Sequence, residues 1–243
     1  SFFKKIFRIN TLGSGFNAGL TSFGIAPTLQ KDNQSIIDYC RYLKIGNLVD
    51  VEVNNIQFNE ENIILADSNF FDFFGFYLLT KGTKKVINEP FTVVLSQKMA
   101  AKYFGKQNPL NKKISINKKE YKITGIVQDC PDNTDIRYQA ICAINSINKD
   151  VEEAFYREWY RVVCFAYIKF KKSKDAVNFK SKLDAFSLKY VKPWGEKNDI
   201  KQVDYYAINN IENVHFWTQI LCDSKEGGSA LPIQRIEIES CSF

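Results

Sequence analysis

One histidine, His215, is the whole imidazole supply of this 243-residue chain. With no second histidine at helical spacing, H-E-x-x-H zinc chemistry is excluded. Ser14 stands in Gly13-Ser14-Gly15 and not in G-x-S-x-G, so there is no nucleophile elbow. No Walker A sequence occurs, and any ATP that serves this protein is hydrolysed by another polypeptide. The six cysteines (40, 130, 142, 164, 222 and 241) contain no C-x-x-C pair, and none sits in the electropositive setting of a nucleophile. Cys142 and Cys164 lie in apolar surroundings, as small core residues do, and Cys40 falls in a segment read as helix. Spacing leaves any disulfide pairing open. The acids are scattered, with no pair placed for glycosidase-type work. An enzyme is not expected.

Other absences narrow the class further. No run of 18 or more apolar residues occurs, and Ser1 does not begin a secretory signal. Taken alone, these two absences point to a cytosolic chain. Gly13, Gly15 and Gly19 form G-x-G-x-x-x-G, one residue longer than the dinucleotide fingerprint, and no acid follows a second strand. Asp129, Asp132 and Asp135 lack the loop glycine and distal glutamate of a calcium loop, so they read as a solvated turn. Phe70, Phe71, Phe73, Phe74 and Phe76 crowd one stretch whose only charge is Asp72. A nucleic-acid stacking platform needs interleaved basic residues, so this stretch reads as core and no nucleic-acid partner is expected.

What the chain does have is aromatic bulk and a local excess of lysine. Hydrophobic residues make up 45% and aromatics 14%, enough to build a core from Phe and Tyr. The net charge is +6, yet residues 98–125 alone hold eight lysines against one acid, Glu120. The remainder is therefore close to neutral. Lys112, Lys113, Lys118 and Lys119 are the candidate contact residues for an acidic partner or anionic headgroups. The other reading is a solvated, charged edge that keeps a hairpin from pairing with neighbours, the commoner use of such lysines.

That lysine-rich stretch also carries the clearest local pattern. Thr92–Leu95 is a β-branched buried strand. Ser96 is placed to cap a helix bearing Met99, Ala100, Tyr103 and Phe104, and Gly105 supplies its stop. Ile114 and Ile116 alternate on one hairpin arm, Tyr121, Ile123 and Val127 on the other, with the turn near Asn117-Lys118. Residues 4–12 read as a strand, 13–24 as a loop, and 26–44 as a helix with Pro27 in its first turn. Residues 48–58 and 61–66 read as a strand pair. Ser68 is placed to cap a short helix ended by Gly75. Residues 149–159 read as a helix and 161–170 as a strand. Ala176, Phe179, Leu183, Phe186 and Tyr190 form one apolar stripe on a helix over 173–191, stopped by Pro193 and Gly195. A strand over 202–208 completes a βαβ unit with an expected parallel pair, and the entry strand, helix 26–44 and strand 48–58 look like another.

The order strand, capped helix, Phe104-Gly105, Asn108-Pro109-Leu110, then hairpin resembles the periplasmic core domain of MacB-like, FtsX-like ABC transporter permeases. Asn108 stands where that family usually has Asp, Asn111 where it has Gly, and Lys118 where Gly is common. The phenylalanine stretch with Leu79-Thr80-Lys81-Gly82, the turn at 129–135 and Asn213-Val214-His215-Phe216 continue the resemblance along the chain. The resemblance implies an α+β fold of two subdomains. A porter-like βαβ pair is built from both chain ends, about 1–60 plus 158–243, and a mixed β-rich subdomain, 61–157, is inserted between. It implies membrane helices flanking this segment, with both termini at one end of the domain. It implies a place on the periplasmic face of the inner membrane and a cognate cytosolic ATPase that holds the ATP, with no cofactor here. It also implies a domain that couples membrane-helix motion to export or handling of a substrate, with a periplasmic adaptor or second permease copy as further partners. The alternatives are a sensory or scaffold domain regulating a cell-envelope partner without transport, and a free-standing ligand-binding protein.

Overall fold

The computed structural model describes residues 3–13, 16–80, 86–131, 134–200 and 205–213. Ser14, Asp132, His215, Cys222, Cys241, Lys81-Gly82, residues 214–216 of the last motif and the C-terminus lie outside them. In chain order the strands are β1 (Ile6–Gly13), β2 (Phe16–Ala18), β3 (Thr21–Ser22), β4 (Ile36–Lys44), β5 (Val49–Val53), β6 (Ile56–Glu60), β7 (Ile63–Ala66), β8 (Thr92–Ser96), β9 (Lys113–Ile116), β10 (Lys119–Val127), β11 (Ala140–Ala143), β12 (Val162–Phe170) and β13 (Tyr205–Asn210). The α-helices are α1 (Ile25–Asp32), α2 (Phe70–Phe74), α3 (Gln97–Phe104), α4 (Lys149–Arg157), α5 (Lys180–Phe186) and α6 (Lys192–Lys197). Among the described residues the chain divides into an end-built unit, 3–41 with 150–213, and a middle unit, 42–149.

The end-built unit is a sheet in the order β13-β1-β12-β4. β1 is antiparallel to both flanking strands, with Ile9 opposite Ala166 on one side and Ile208 on the other. β12 and β13 therefore run the same way but never touch, because the chain's first strand lies between them. This split β-α-β arrangement, repeated twice, is the ferredoxin-like pattern. It replaces the expected adjacent parallel pair. The crossover rule holds for the direction of the two strands, and the buried Ile6 and Ile9 of β1 fill the slot between them.

The expected long helix over 26–44 is instead α1 followed by β4. Asn33 leaves the helix with extended backbone, and its side-chain amide donates to the Leu29 carbonyl at 2.9 Å. The next residues, Ile36, Ile37, Tyr39 and Tyr42, are β-branched or aromatic, and such side chains favour a pleated surface. Ile37 is 49% exposed, and Cys40, read within that helix, is a buried strand residue.

The apolar stripe holds, although the helix bearing it is broken. Phe179, Leu183 and Phe186 are buried. Phe179 meets Phe170 of β12 edge-on at 4.9 Å, and Phe186 meets Tyr206 of β13 at 5.8 Å. Residues 173–176 are a 3-10 turn, and Ser187–Val191 form a π-turn running into α6. Pro193 does not end the helix; it sits in the first turn of α6, where a missing N–H costs nothing. Gly195 lies inside α6 because a Cβ there would come within 3.0 Å of the Tyr160 hydroxyl. Tyr160 itself stacks on Trp194 at 5.3 Å.

In the middle unit the strand order is β7-β11-β8-β10-β9-β5-β6, and the tail of β4 pairs with β7. β8 runs parallel to β10, and β7 parallel to β11. β8 is buried along its whole length, as its β-branched run requires. The Ser96 hydroxyl accepts the Met99 N–H at 3.2 Å, and Gly105, at φ 58°, closes α3. Asn117 and Lys118 both take left-handed backbone (φ 47° and 65°), the two-residue type I′ geometry that matches strand twist. The phenylalanine stretch is core: Phe70, Phe71, Phe73 and Phe74 are all buried. The cap of α2 falls on Asn69 and not on Ser68.

The unit boundaries differ from the sequence expectation. The run 48–58 is itself most of a hairpin, turning at Asn54-Asn55 (φ 51° and 64°). β5 pairs with β9, Val51 opposite Ile116, so residues 49–60 belong to the middle unit. α4 belongs to the end-built unit, where Phe155 meets Phe23 at 5.7 Å and the Tyr156 hydroxyl accepts from Arg41 at 2.9 Å.

Candidate functional site

The four candidate lysines lie on the β9–β10 hairpin, but they do not form one cluster. Lys112 and Lys113 stand at one end, Lys118 and Lys119 at the turn, about 10 Å apart at ~3.3 Å per strand residue. Lys112 donates to Gln107 Oε1 at 2.6 Å and lies over the Phe104 ring at 4.9 Å. Lys113 is directly opposite Lys122, a like-charge pair that Glu120 offsets by its 2.5 Å contact with Lys113. Lys119 is half-buried with its ammonium 5.7 Å from the Phe91 ring. Lys118 is exposed at the turn and has no side-chain partner among the described residues. The neighbouring β5 presents Asp50 and Glu52 to solvent, so the lysine face is bordered by acids. Asn117 docks the turn onto β5 by donating its backbone N–H to the Asp50 carbonyl at 2.9 Å.

A groove of about 290 Å³ opens along α3, walled by Glu60, Lys98, Lys102, Asp129, Arg137 and Gln139 among others. Glu60 is buried and accepts from Lys102 at 2.5 Å and from the Tyr103 hydroxyl at 2.8 Å. The Asp129 carboxylate accepts the Lys98 backbone N–H at 2.8 Å, holding the first turn of α3. Burial, and then the Glu60 carboxylate, push the Tyr103 phenol well above its ordinary range. Lys98 and Lys102 belong to the lysine run read from sequence. Glu60, Asp129 and Arg137 could not be linked to them from spacing, because strand pairing and a loop 30 residues downstream bring them together. Both acids that wall the groove accept hydrogen bonds from α3, Glu60 from side chains and Asp129 from a backbone N–H.

Among the described residues no group of three His, Cys, Asp or Glu is placed to hold a metal ion. Cys40, Cys130, Cys142 and Cys164 form no disulfide among the described residues, and burial raises Cys142 far above a reactive range. No helix among the described residues is long and apolar enough to cross a membrane.

The MacB-like periplasmic core domain family matches residues 11–186. No curated protein matches the sequence. Among solved structures, a domain assigned to a permease protein from Porphyromonas gingivalis is similar with a TM-score of 0.70 at 17% identity, over 87% of this chain and 93% of that one. The periplasmic region of MacB from Actinobacillus actinomycetemcomitans is similar with a TM-score of 0.57 at 17% identity, over 91% and 94%. The extracellular domain of the ABC-type transporter YknZ from Gram-positive bacteria is similar with a TM-score of 0.52 at 12% identity, over 84% and 100%. These likenesses concern the fold, while the family match takes in the capped helix α3, the hairpin and the α5 stripe; the chain belongs to the MacB-like periplasmic core domain family, as an extracytoplasmic domain of an ABC-type transporter permease.

Proposed function

We propose that this domain couples ATP-driven motion of membrane helices to export or handling of a substrate outside the membrane, on the periplasmic face of the inner membrane. The observation that carries this reading is the family match over residues 11–186. The chain organisation supports it: a middle unit is entered at Tyr42 and left at Lys149, inside a unit that holds the first strand. In this reading ATP is hydrolysed by a cognate cytosolic subunit, and the domain neither binds it nor catalyses a reaction. A periplasmic adaptor or a second permease copy is the partner outside the membrane, and Lys118 is the hairpin lysine with a side chain left for such a contact.

The test uses the full-length protein with its ATPase in proteoliposomes. Hydrogen exchange of this domain is compared between an ATP-analogue state and an ADP state, alongside substrate movement. Nucleotide-dependent protection changes here together with transport are the expected result. Changes without transport, accompanied by activation of a cell-envelope enzyme, would favour the regulatory role. No change in any segment would overturn the coupling.

A further inference from the structure

We propose that Arg8 and Asn209 form a recognition site for a carboxylate group on the face of the end-built sheet turned away from α5. The site rests on side-chain geometry within that unit and stands apart from the transport reading. Successive β1 side chains point to opposite faces. Phe7 meets Phe170 at 5.5 Å, on the side where Phe179 packs, so Arg8 projects to the other side.

Arg8 is only 3% exposed, yet it faces no carboxylate among the described residues. Its Nε donates to Asn10 Oδ1 at 3.0 Å, and Asn10 Nδ2 donates to Asn17 Oδ1 at 2.7 Å. This chain orients the guanidinium and occupies its Nε. The Nη1 and Nη2 edge has no hydrogen-bond acceptor among the described residues. Asn209 is directly opposite Arg8 in the β1–β13 register, and its Nδ2 is buried without an acceptor. Opposed residues place their Cβ atoms about 5 Å apart on one face. Two donors with no acceptor are thus brought together by the strand pairing.

The chemistry of the missing group follows. A guanidinium does not lose its proton in a protein, so the deficit cannot be relieved by titration as it could for a lysine. A buried charge without an opposite charge is costly, and an oxyanion is what relieves it. The free edge of a guanidinium is a planar fork matched to the two oxygens of a carboxylate. Gly19 keeps this edge close to backbone: a Cβ there would lie 3.1 Å from Arg8 Cζ and 3.3 Å from Phe165 Cε1. The carboxylate comes from an acidic side chain of a polypeptide or from a small free acid, and the experiment separates these.

The 243-residue chain is titrated with sodium acetate, with sodium chloride at equal ionic strength as control, while side-chain NMR follows Arg8 Nε–H and the Asn209 amide. Saturable shifts in acetate and none in chloride are expected. A capped peptide bearing one glutamate, against its glutamine counterpart, identifies the source; half-saturation at about tenfold lower concentration than acetate marks a polypeptide carboxylate, and equal or weaker binding marks a small acid. Asn209→Asp supplies the acceptor within the chain, so it is expected to melt higher than wild type and to lose the acetate response. Linear shifts common to acetate and chloride, or a lower melting temperature for Asn209→Asp, would overturn the proposal.

Discussion

The Asp32 carboxylate accepts the Tyr190 hydroxyl at 2.9 Å, tying the end of α1 to the π-turn that follows α5. Lys189 Nζ reaches the same oxygen at 3.0 Å. The Lys189 hydrogen bond first, and then that of Tyr190, hold Asp32 below the usual carboxylate range. A depressed folded-state value means the contribution is present above the unfolded value of about 3.9 and is lost as pH falls through that range. The melting temperature of Asp32→Asn is therefore expected to trail wild type at neutral pH, with the gap narrowing as pH falls below the unfolded carboxylate value of about 3.9. A gap that does not change with pH would show that this contact contributes nothing through charge.

Phe186 is the second point of attachment for the same helical segment. Its ring touches Trp159 at 5.3 Å and Tyr190 at 5.1 Å, besides Tyr206. Phe186→Ala is expected to cost about 3–5 kcal/mol in equilibrium unfolding. A cost below about 1 kcal/mol would mean that the pocket collapses onto the smaller side chain or that the ring is dispensable to the sheet contact.

The residues that were legible and those that were not differ in kind. Phe179, Leu183 and Phe186 could be placed because their burial follows from helical spacing alone. Ser96 and Gly105 could be placed because a cap is a local hydrogen-bond requirement. Residues 36–44 could not, since Ile36, Cys40 and Leu43 fit a helical period and a buried strand equally well. The β1 slot between β12 and β13 was hidden because strand order is decided by contacts between distant segments. The groove around Glu60 was hidden for the same reason. Arg8 lies within the segment 4–12 read as a strand, and only its burial without an acid among the described residues makes it unusual.

Three tyrosines should resist alkali. Tyr103, Tyr121 and Tyr138 are each pushed above the ordinary phenol value, first by burial, with Glu60, Cys142 and Cys130 respectively adding to it. A raised folded-state value gives stability that is full below the unfolded value of about 10 and is lost as pH rises beyond it. Comparing tyrosinate absorbance of wild type and Tyr103→Phe should therefore show no difference up to about pH 11 while the chain is folded, with the missing phenolate appearing only on unfolding. One phenol titrating near pH 10 in the folded difference spectrum would contradict the burial of Tyr103.

Lys118 occupies a backbone position that suits glycine better. Its φ of 65° places a Cβ in the left-handed region, at a cost of roughly 1–2 kcal/mol for an ordinary residue. Lys118→Gly is expected to raise the stability of the hairpin by up to that amount. Lys113, Lys112 and Lys119 already have Glu120, Gln107 and the Phe91 ring as neighbours, so replacing them would disturb local packing as well as charge. Lys118 alone lets the contact reading be tested cleanly. Binding of wild type, Lys118→Gly and Lys118→Glu to anionic vesicles is measured at low and high salt. A contact made by an exposed charge weakens as the screening length falls to about 8 Å at physiological ionic strength. The expected order of affinity at low salt is wild type, then Gly, then Glu, converging at high salt. Equal affinity of all three at low salt would leave Lys118 as a charge that keeps the turn solvated, held at some cost to the stability of the hairpin.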